Sequence, residues 1–264
     1  MENADDHRRI VRERYASIAS ERSGCCSDDG CCDSDESEGE PGSRHLGDTE
    51  EDLNAVADGA DLGLGCGNPT ALAALSPGER VLDMGSGAGF DCFLAAQAVG
   101  EEGHVVGVDM TPEMVERARE NGEENGATNV EFRLGEIEHL PVADGSVDVV
   151  VSNCVVNLSP AKEQVFEEAF RALAPGGRVA ISDVVRTAPI PESARRDPAS
   201  LSACVAGAET VDVVANLLTG VGFEDVRIEP KAESERFIRE WDDDHDPSDY
   251  LVSATVEARK PVES

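Results

Sequence analysis

The chain has 264 residues, and its 22 Lys and Arg residues against 55 Asp and Glu residues give a formal net charge of −33 at pH 7. This charge argues against a protein that binds nucleic acid by neutralising phosphates, and against docking on an anionic membrane through basic clusters. The chain contains no run of about 18 apolar residues that would cross a membrane, and its polar N-terminus lacks the apolar core of a signal peptide, which favours a cytoplasmic location.

The N-terminal part of the chain is predicted to combine a short helix with a flexible segment. The helix is expected over residues 5–20, because Val11, Tyr15 and Ile18 are spaced by four and three positions. The stretch that follows, SERSGCCSDDGCCDSDESEGEPGS, is polar and of low complexity. Because such a composition cannot bury a core, we expect this Cys-rich segment to be flexible.

From about residue 76 the sequence alternates between predicted strands and predicted helices. Seven strands are expected, over residues 80–84, 104–110, 129–134, 146–153, 177–185, 223–230 and 251–260. Four helices are indicated between them. One follows a glycine-rich turn, one begins at the N-cap Thr111, one runs from Ala161 to a stop at Pro175-Gly176-Gly177, and one covers 211–223. This alternation implies right-handed βαβ units and an α/β fold with a Rossmann-like, doubly wound, mostly parallel seven-stranded sheet.

A glycine-rich turn follows the first predicted strand and begins a helix. It reads Gly85-Ser86-Gly87-Ala88-Gly89, and glycines in such a turn let a ligand approach the backbone closely. An ordinary tight turn between strand and helix is the alternative. Asp83 lies inside the preceding strand, and Asp109 ends the second strand, where an acid accepts ribose hydroxyls. The segment Gly135-Glu136-Ile137-Glu138 follows the third strand, where side chains would flank an adenine.

This arrangement resembles the class I S-adenosylmethionine-dependent methyltransferases. The resemblance implies that Asp83 neutralises the ammonium of the cofactor's amino-acid part and that Asp109 holds the ribose. It also implies a set of cofactor-binding residues, namely Asp83, Gly85, Ser86, Gly87, Asp109, Met110, Glu136, Ile137 and Asn153.

The eight cysteines suggest a second kind of chemistry. Structural disulfides are rare in the cytoplasm, and the pattern C-C-x4-C-C at residues 25–32 is not the C-x2-C pairing of a structural zinc site. Cys92 is interpreted as a packed core thiol. Cys66 precedes the regular fold, Cys154 directly follows the fourth strand, and Cys204 follows the fifth. Three thiols converging outside the strand ends would suit a soft, thiophilic centre, with simple packing as the alternative for each.

The motifs around these cysteines resemble the arsenite methyltransferases that use S-adenosylmethionine. The resemblance rests on GLGCGNP, LDMGSGAGFDC, GVDMT, SVDVVVSNCVVNLS and CVAGA, and it extends from about residue 8 to 230. It implies that Cys66, Cys154 and Cys204 bind trivalent arsenic. It also implies thiol exchange by an N-terminal cysteine from among Cys25, Cys26, Cys31 and Cys32, of which Cys31 and Cys32 are included in the predicted catalytic set. The chain departs from the usual pattern in DPASLSA, which lacks a large aromatic residue, and after residue 230, where it is short and very acidic.

The implied reaction is methyl transfer from S-adenosylmethionine to thiol-bound arsenic, serving arsenic detoxification. A disulfide among Cys66, Cys154 and the N-terminal thiols would follow, and thioredoxin or a small thiol would reduce it. Residues 1–75 would carry the N-terminal thiols and the Cys66 loop, 76–185 the cofactor-binding core, and 186–264 the rest of the arsenic site and of the sheet. We expect a monomer. The alternatives are a methyltransferase of the same fold for a small organic molecule, and a non-catalytic thiol-based metalloid-binding protein.

The charge balance also suggests a salt-rich cytoplasm. Lysine occurs only at Lys162, Lys231 and Lys260, and the other basic residues are arginines. An acidic surface repels itself at low ionic strength, whereas at molar salt the Debye length falls to about 3 Å and the repulsion is screened. We therefore expect a halophilic protein; an acidic protein adapted to ordinary salt is the alternative.

The midpoint of thermal unfolding should accordingly rise as KCl is increased from low to molar concentration, because screening relieves repulsion that is greatest in the compact state. Circular dichroism melts across a KCl series measure this. A midpoint that stays flat over the series would remove the halophilic interpretation.

Overall fold

A seven-stranded sheet forms the centre of the fold. The computed structural model describes residues 4–21, 56, 60, 62, 65–196, 200, 204–241 and 246–262. The strands are β1 Arg80–Met84, β2 His104–Asp109, β3 Val130–Leu134, β4 Val147–Asn153, β5 Leu173–Arg186, β6 Glu224–Lys231 and β7 Leu251–Arg259. Their order is β3-β2-β1-β4-β5-β7-β6; the strands from β3 to β5 pair in parallel, and β7 runs antiparallel between β5 and β6. The predicted α/β fold with a mostly parallel seven-stranded sheet is confirmed.

Helices cover both faces of this sheet. They are α1 Ala4–Glu21, α2 Pro69–Ala73, α3 Phe90–Val99, α4 Pro112–Glu124, α5 Lys162–Ala172, α6 Glu192–Arg196, α7 Val211–Val221 and α8 Glu235–Ile238. Short 3-10 turns occur at Val156–Leu158, Ala232–Ser234, Arg239–Trp241 and Pro247–Asp249. Thr111 is the N-cap of α4, as predicted, and Pro112 occupies the first helical position. No helix among the described residues has the length and apolar character needed to span a membrane.

Two apolar cores lie on opposite faces of the sheet. Val150 of β4 packs into the core that includes α5 and α7, whereas Val149 and Val151 pack into the core that includes α2, α3 and α4. All three valines are fully buried. A strand that is buried on both faces has a nearly continuous run of apolar residues. The run VDVVV therefore predicted a buried strand at this position.

The strand β5 begins four residues earlier than the sequence predicted. The helix α5 ends at Ala172, but Leu173 already pairs with Val147 of β4, and the register shifts before Val149 pairs with Arg178. A Cβ atom on Gly177 would lie 2.9 Å from the carbonyl oxygen of Asp148. Glycine therefore lets the backbone pass β4 closely at a point where local sequence signals indicate only a helix stop.

Candidate active site

The functional side chains lie at the edge of the sheet where the parallel strands end. The turn after β1 places Gly85 and Gly87 in the left-handed backbone region, with φ of 79° and 50°. A Cβ atom on Gly85 would overlap the side chain of Val155, whereas one on Gly87 would meet nothing within 4 Å. The turn thus packs tightly on one side and leaves its backbone open on the other.

A cavity lies against the open side of this turn. The predicted residues that line it are Gly85, Ser86, Gly87, Asp109, Met110, Ile137 and Asn153. Other lining residues, which were outside the predicted set, include Arg8, Val11, Tyr15, Phe90, Glu138, Val155, Leu158 and Ser159. The sequence analysis had noticed the helical spacing of Val11 and Tyr15, and Arg8 precedes Val11 by three positions, so this spacing was the signal that could have placed α1 at the site.

Asp109 ends β2 at the wall of the cavity. Its Oδ2 accepts the backbone N–H of Gly87 at 3.0 Å, and its Oδ1 accepts that of Thr111 at 2.8 Å. Burial raises the pKa of the Asp109 carboxyl, while these backbone hydrogen bonds oppose the rise. The carboxylate is therefore held in one orientation beside the glycine turn, where it can accept hydrogen bonds from a bound ligand.

Asp83 lies behind the turn and does not line the cavity. Its side chain is buried in β1, and the thiol of Cys92 donates a hydrogen bond to Oδ2 at 3.2 Å. Burial raises the pKa of the Asp83 carboxyl to about 7, and the nearby charge of Asp109 acts in the same direction. Contact between Asp83 and the ammonium of the cofactor therefore stays a prediction. Cys92 packs in the core, as the sequence suggested, and also contacts this acid.

The two acids after β3 take different positions. Glu136 lies outside the cavity and forms ion pairs with Arg8 at 3.6 Å and Arg12 at 3.3 Å. Glu138 lines the cavity and is buried; it accepts a hydrogen bond from Ser159 Oγ at 2.6 Å and pairs with Arg8 at 3.4 Å. These contacts fasten α1 across the cavity. The sequence analysis named Glu136 and not Glu138, because the contacts of Glu138 with Arg8 and Ser159 join segments that are distant in the sequence.

The three predicted thiol residues lie in one buried cluster. Cys66 and Cys154 form a disulfide, and the thiol of Cys204 donates a hydrogen bond to the carbonyl oxygen of Cys154 at 2.7 Å. Cys154 and Cys204 have φ of 56° and 63°, a region that residues other than glycine seldom adopt and that recurs at functional sites. The predicted residues Cys31 and Cys32 lie outside the described residues, as do Cys25 and Cys26.

Comparisons with known proteins agree with this combination of a cofactor cavity and a thiol cluster. A family model described as a methyltransferase domain matches residues 75–239. The arsenite methyltransferase of Halobacterium salinarum is 62% identical over an alignment of 265 positions, and this alignment covers 98% of this chain and 68% of that protein. The chain belongs to the arsenite methyltransferase family.

This chain spans about two thirds of the length of the Halobacterium salinarum protein and aligns with less of the human one. The human arsenite methyltransferase is 43% identical over 152 residues, which are 54% of this chain and 40% of the human protein. The crystal structure of CrArsM, an arsenic(III) S-adenosylmethionine methyltransferase from Chlamydomonas reinhardtii, matches with a TM-score of 0.63 at 35% identity, covering 82% of this chain and 72% of that one.

The cofactor of this methyltransferase domain is S-adenosylmethionine, and the cavity fits it. The hydroxyl of Ser86 is buried and has no hydrogen-bond partner among the described residues, so it is free to bind a ligand. Asp109 gives the cavity a carboxylate that can accept hydrogen bonds from hydroxyls, and Ile137 and Leu158 give it apolar wall on which an aromatic ring can pack. The open backbone at Gly87 leaves room for the ligand to approach.

Ionisable side chains lie close to the thiol cluster. Asp183 accepts hydrogen bonds from Asn157 Nδ2 at 2.9 Å and from the N–H of Val184 at 2.8 Å, and burial raises the pKa of its carboxyl to about 6. Burial raises the pKa of the Cys204 thiol, and the charge of Asp183 adds to this; burial lowers the pKa of the Lys162 ammonium. The raised pKa favours the neutral thiol form of Cys204 in this structure.

The raised pKa of Asp83 predicts a pH-dependent contribution to stability in the cofactor-free protein. Its ordinary value is 3.8 and its folded value about 7, so the stability due to its protonated form is lost as pH rises through about 7. We compare the free energy of unfolding of Asp83→Asn with that of the unsubstituted chain. This difference should move in favour of the variant by at least about 1 kcal/mol from about pH 4 to about pH 8. Urea unfolding at constant KCl measures this.

Asp148→Asn provides a control of opposite sign. Hydrogen bonds from Arg80 lower the pKa of Asp148, so its stabilisation is present above its unfolded pKa and is lost as pH falls. This variant should lose stability relative to the unsubstituted chain as pH rises. If the two difference curves run in the same direction, the assigned burial of charge at Asp83 is wrong.

Proposed function

We propose that this protein transfers the methyl group of S-adenosylmethionine to trivalent arsenic bound by Cys66, Cys154 and Cys204. The observation that carries the proposal is the convergence of these three buried cysteines in one cluster beside the cavity. The cluster adjoins the cavity, because Val11 and Leu158 pack in the cluster and also line the cavity. Family membership supports arsenic as the substrate.

Binding of arsenic would replace oxygen ligands by sulfur. Each As–S bond forms as an As–O bond to a hydroxyl breaks, and the thiol proton leaves with that hydroxyl as water. The substrate, arsenous acid, is neutral, so burial of the site does not oppose its entry as it would oppose a charged molecule. Buried thiols at fixed positions would hold the arsenic lone pair toward the cavity, and catalysis would come mainly from orientation.

The chain's own residues would hold the cofactor and keep water out. Bound S-adenosylmethionine supplies an electrophilic methyl group on a sulfonium. Asp109 would accept the ribose hydroxyls, and the turn at Gly85–Gly87 with Ser86 Oγ would bind the amino-acid part. The contacts of Glu138 with Arg8 and Ser159 support a role for α1 as the wall that closes the cavity. No general base is needed, because arsenic loses no proton when it accepts the methyl group.

Methyl transfer uses the arsenic lone pair and leaves arsenic formally pentavalent, so the cycle needs two electrons. Cys66 and Cys154 would supply them: two As–S bonds break, one S–S bond forms, and arsenic returns to the trivalent state. Water then adds to arsenic as hydroxide in place of a departed sulfur, and one proton leaves. Their pairing supports this assignment. Thioredoxin or a small thiol would then reduce the disulfide by exchange, with Cys31 or Cys32 as the relay.

The proposal extends to the cellular setting of the protein. The net charge of −33 and the Halobacterium salinarum relative support a halophilic, cytoplasmic enzyme that works in concentrated salt. We propose that it acts as a monomer in arsenic detoxification and takes no nucleic acid or membrane as a partner.

The test is to incubate the protein with arsenite, S-adenosylmethionine and a dithiol in KCl and to measure methylated arsenicals and S-adenosylhomocysteine. Cys154→Ser and Cys204→Ser should each reduce product formation by at least about 100-fold, because a hydroxyl is a poor ligand for a soft centre and misplaced substrate loses the advantage of orientation.

Both variants should bind S-adenosylhomocysteine as tightly as the unsubstituted chain, which serves as the control for folding and for the cofactor cavity. Methylation of a small organic acceptor that persists in both variants would identify the other methyltransferase class. Stoichiometric arsenic binding without S-adenosylhomocysteine would indicate a sequestering protein. Either result contradicts the proposal.

A further inference from the structure

The tripeptide Gly65-Cys66-Gly67 is held by side chains from three neighbouring strands, β4, β5 and β7. We propose that Asn153, Ser182 and Ser253, which we call the Cys66 cradle, position Cys66 against Cys154 and so set how readily these two thiols are oxidised together. This inference rests on the proposed function, in which the two thiols supply the electrons that return arsenic to its trivalent state.

Hydrogen bonds fix the backbone of Cys66 on both sides. Asn153 Oδ1 accepts the N–H of Cys66 at 2.9 Å, and Asn153 Nδ2 donates to the carbonyl oxygen of Gly67 at 2.7 Å. Ser253 is fully buried in β7, and its hydroxyl donates to the carbonyl oxygen of Cys66 at 2.8 Å. Both polar groups of the Cys66 backbone are therefore taken by side chains distant in the sequence.

The two glycines beside Cys66 are explained by the same side chains. A Cβ atom on Gly65 would lie 2.6 Å from Asn153 Nδ2, and one on Gly67 would overlap Ser182 Oγ. Neither glycine has a positive φ, so its backbone conformation is open to other residues. Glycine is required here by space, because the tripeptide lies directly on the cradle.

The elements that hold Cys66 also hold its partner. Cys154 directly follows Asn153, and its N–H donates to the carbonyl oxygen of Ser182 at 2.8 Å. The hydroxyl of Ser182 lies 3.9 Å from Cys66 Sγ. The ends of β4 and β5 thus fix both thiols, although 88 positions separate the two residues in the chain. Fixing two groups in this way raises the effective concentration of one toward the other.

The effective concentration of Cys66 toward Cys154 can be measured without arsenic or cofactor. The full-length protein is equilibrated in buffers of reduced and oxidised glutathione, then alkylated, and the Cys66–Cys154 disulfide is quantified by peptide mass spectrometry. Two thiols lose their protons and form one S–S bond, while glutathione disulfide accepts the two electrons and gives two glutathione thiols.

Ser253→Ala should lower this effective concentration about five- to tenfold, as expected for the loss of one buried hydrogen bond. Gly67→Ala should lower it at least as much, because its Cβ atom displaces the tripeptide from Ser182. Ser152→Ala is the matched control: Ser152 is equally buried and precedes Asn153 in β4, but its hydroxyl donates to the carbonyl oxygen of Met84 in β1 at 2.8 Å and not to the tripeptide. It should leave the effective concentration within about twofold, since it removes a hydrogen bond of the same kind elsewhere.

Two results would overturn the cradle. In the first, Ser253→Ala and Gly67→Ala keep a cooperative melting transition but have the same effective concentration as Ser152→Ala. In the second, Ser152→Ala lowers the effective concentration as far as they do. A functional readout separates this inference from the proposed function. With arsenite and S-adenosylmethionine, Ser253→Ala should slow repeated turnover, because each turnover needs the Cys66–Cys154 disulfide to form again. A cradle effect on the disulfide in a protein that forms no methylated arsenic would sustain the cradle and refute the proposed function.

Discussion

Parallel pairing of β4 with β1 on one side and with β5 on the other is the constraint on which the site depends. This pairing, together with that of β2 with β1, brings the carboxyl ends of the four strands to one edge. The glycine turn after β1, Asp109 at the end of β2 and Cys154 after β4 therefore lie at the same edge of the sheet. In the observed register Val151 of β4 lies opposite Asp83 of β1 and opposite Ala180 of β5. The position of Cys154 follows from that register.

The site contains buried carboxyls but handles a neutral substrate. Burial raises the pKa values of Asp83, Asp109 and Asp183, which shows that these acids are kept in a medium that disfavours charge. The net charge of −33 therefore belongs mainly to the surface and relates to the solvent. The cationic side chain that reaches the cavity wall comes from α1, where Arg8 pairs with Glu138.

Much of the fold was predictable because its signals are local. Periodicity located β1 over 80–84 and the start of α4 after Thr111, and the structure has both at these positions. The early start of β5 was not predictable, because the pairing of Leu173 with Val147 is a contact between distant segments. For the same reason sequence named Glu136 where Glu138 enters the cavity, and it gave no sign of Ser253, whose bond to Cys66 spans 187 positions.

The central claim is that three cysteine sulfurs hold arsenic beside the cofactor cavity. X-ray absorption at the arsenic edge tests it most directly, on the reduced full-length protein with one equivalent of arsenite in KCl. We expect three sulfur atoms bound directly to arsenic, and we expect one of these sulfur atoms to be replaced by oxygen in Cys204→Ser. A shell dominated by oxygen, or a sulfur shell that is unchanged in Cys204→Ser, would contradict it.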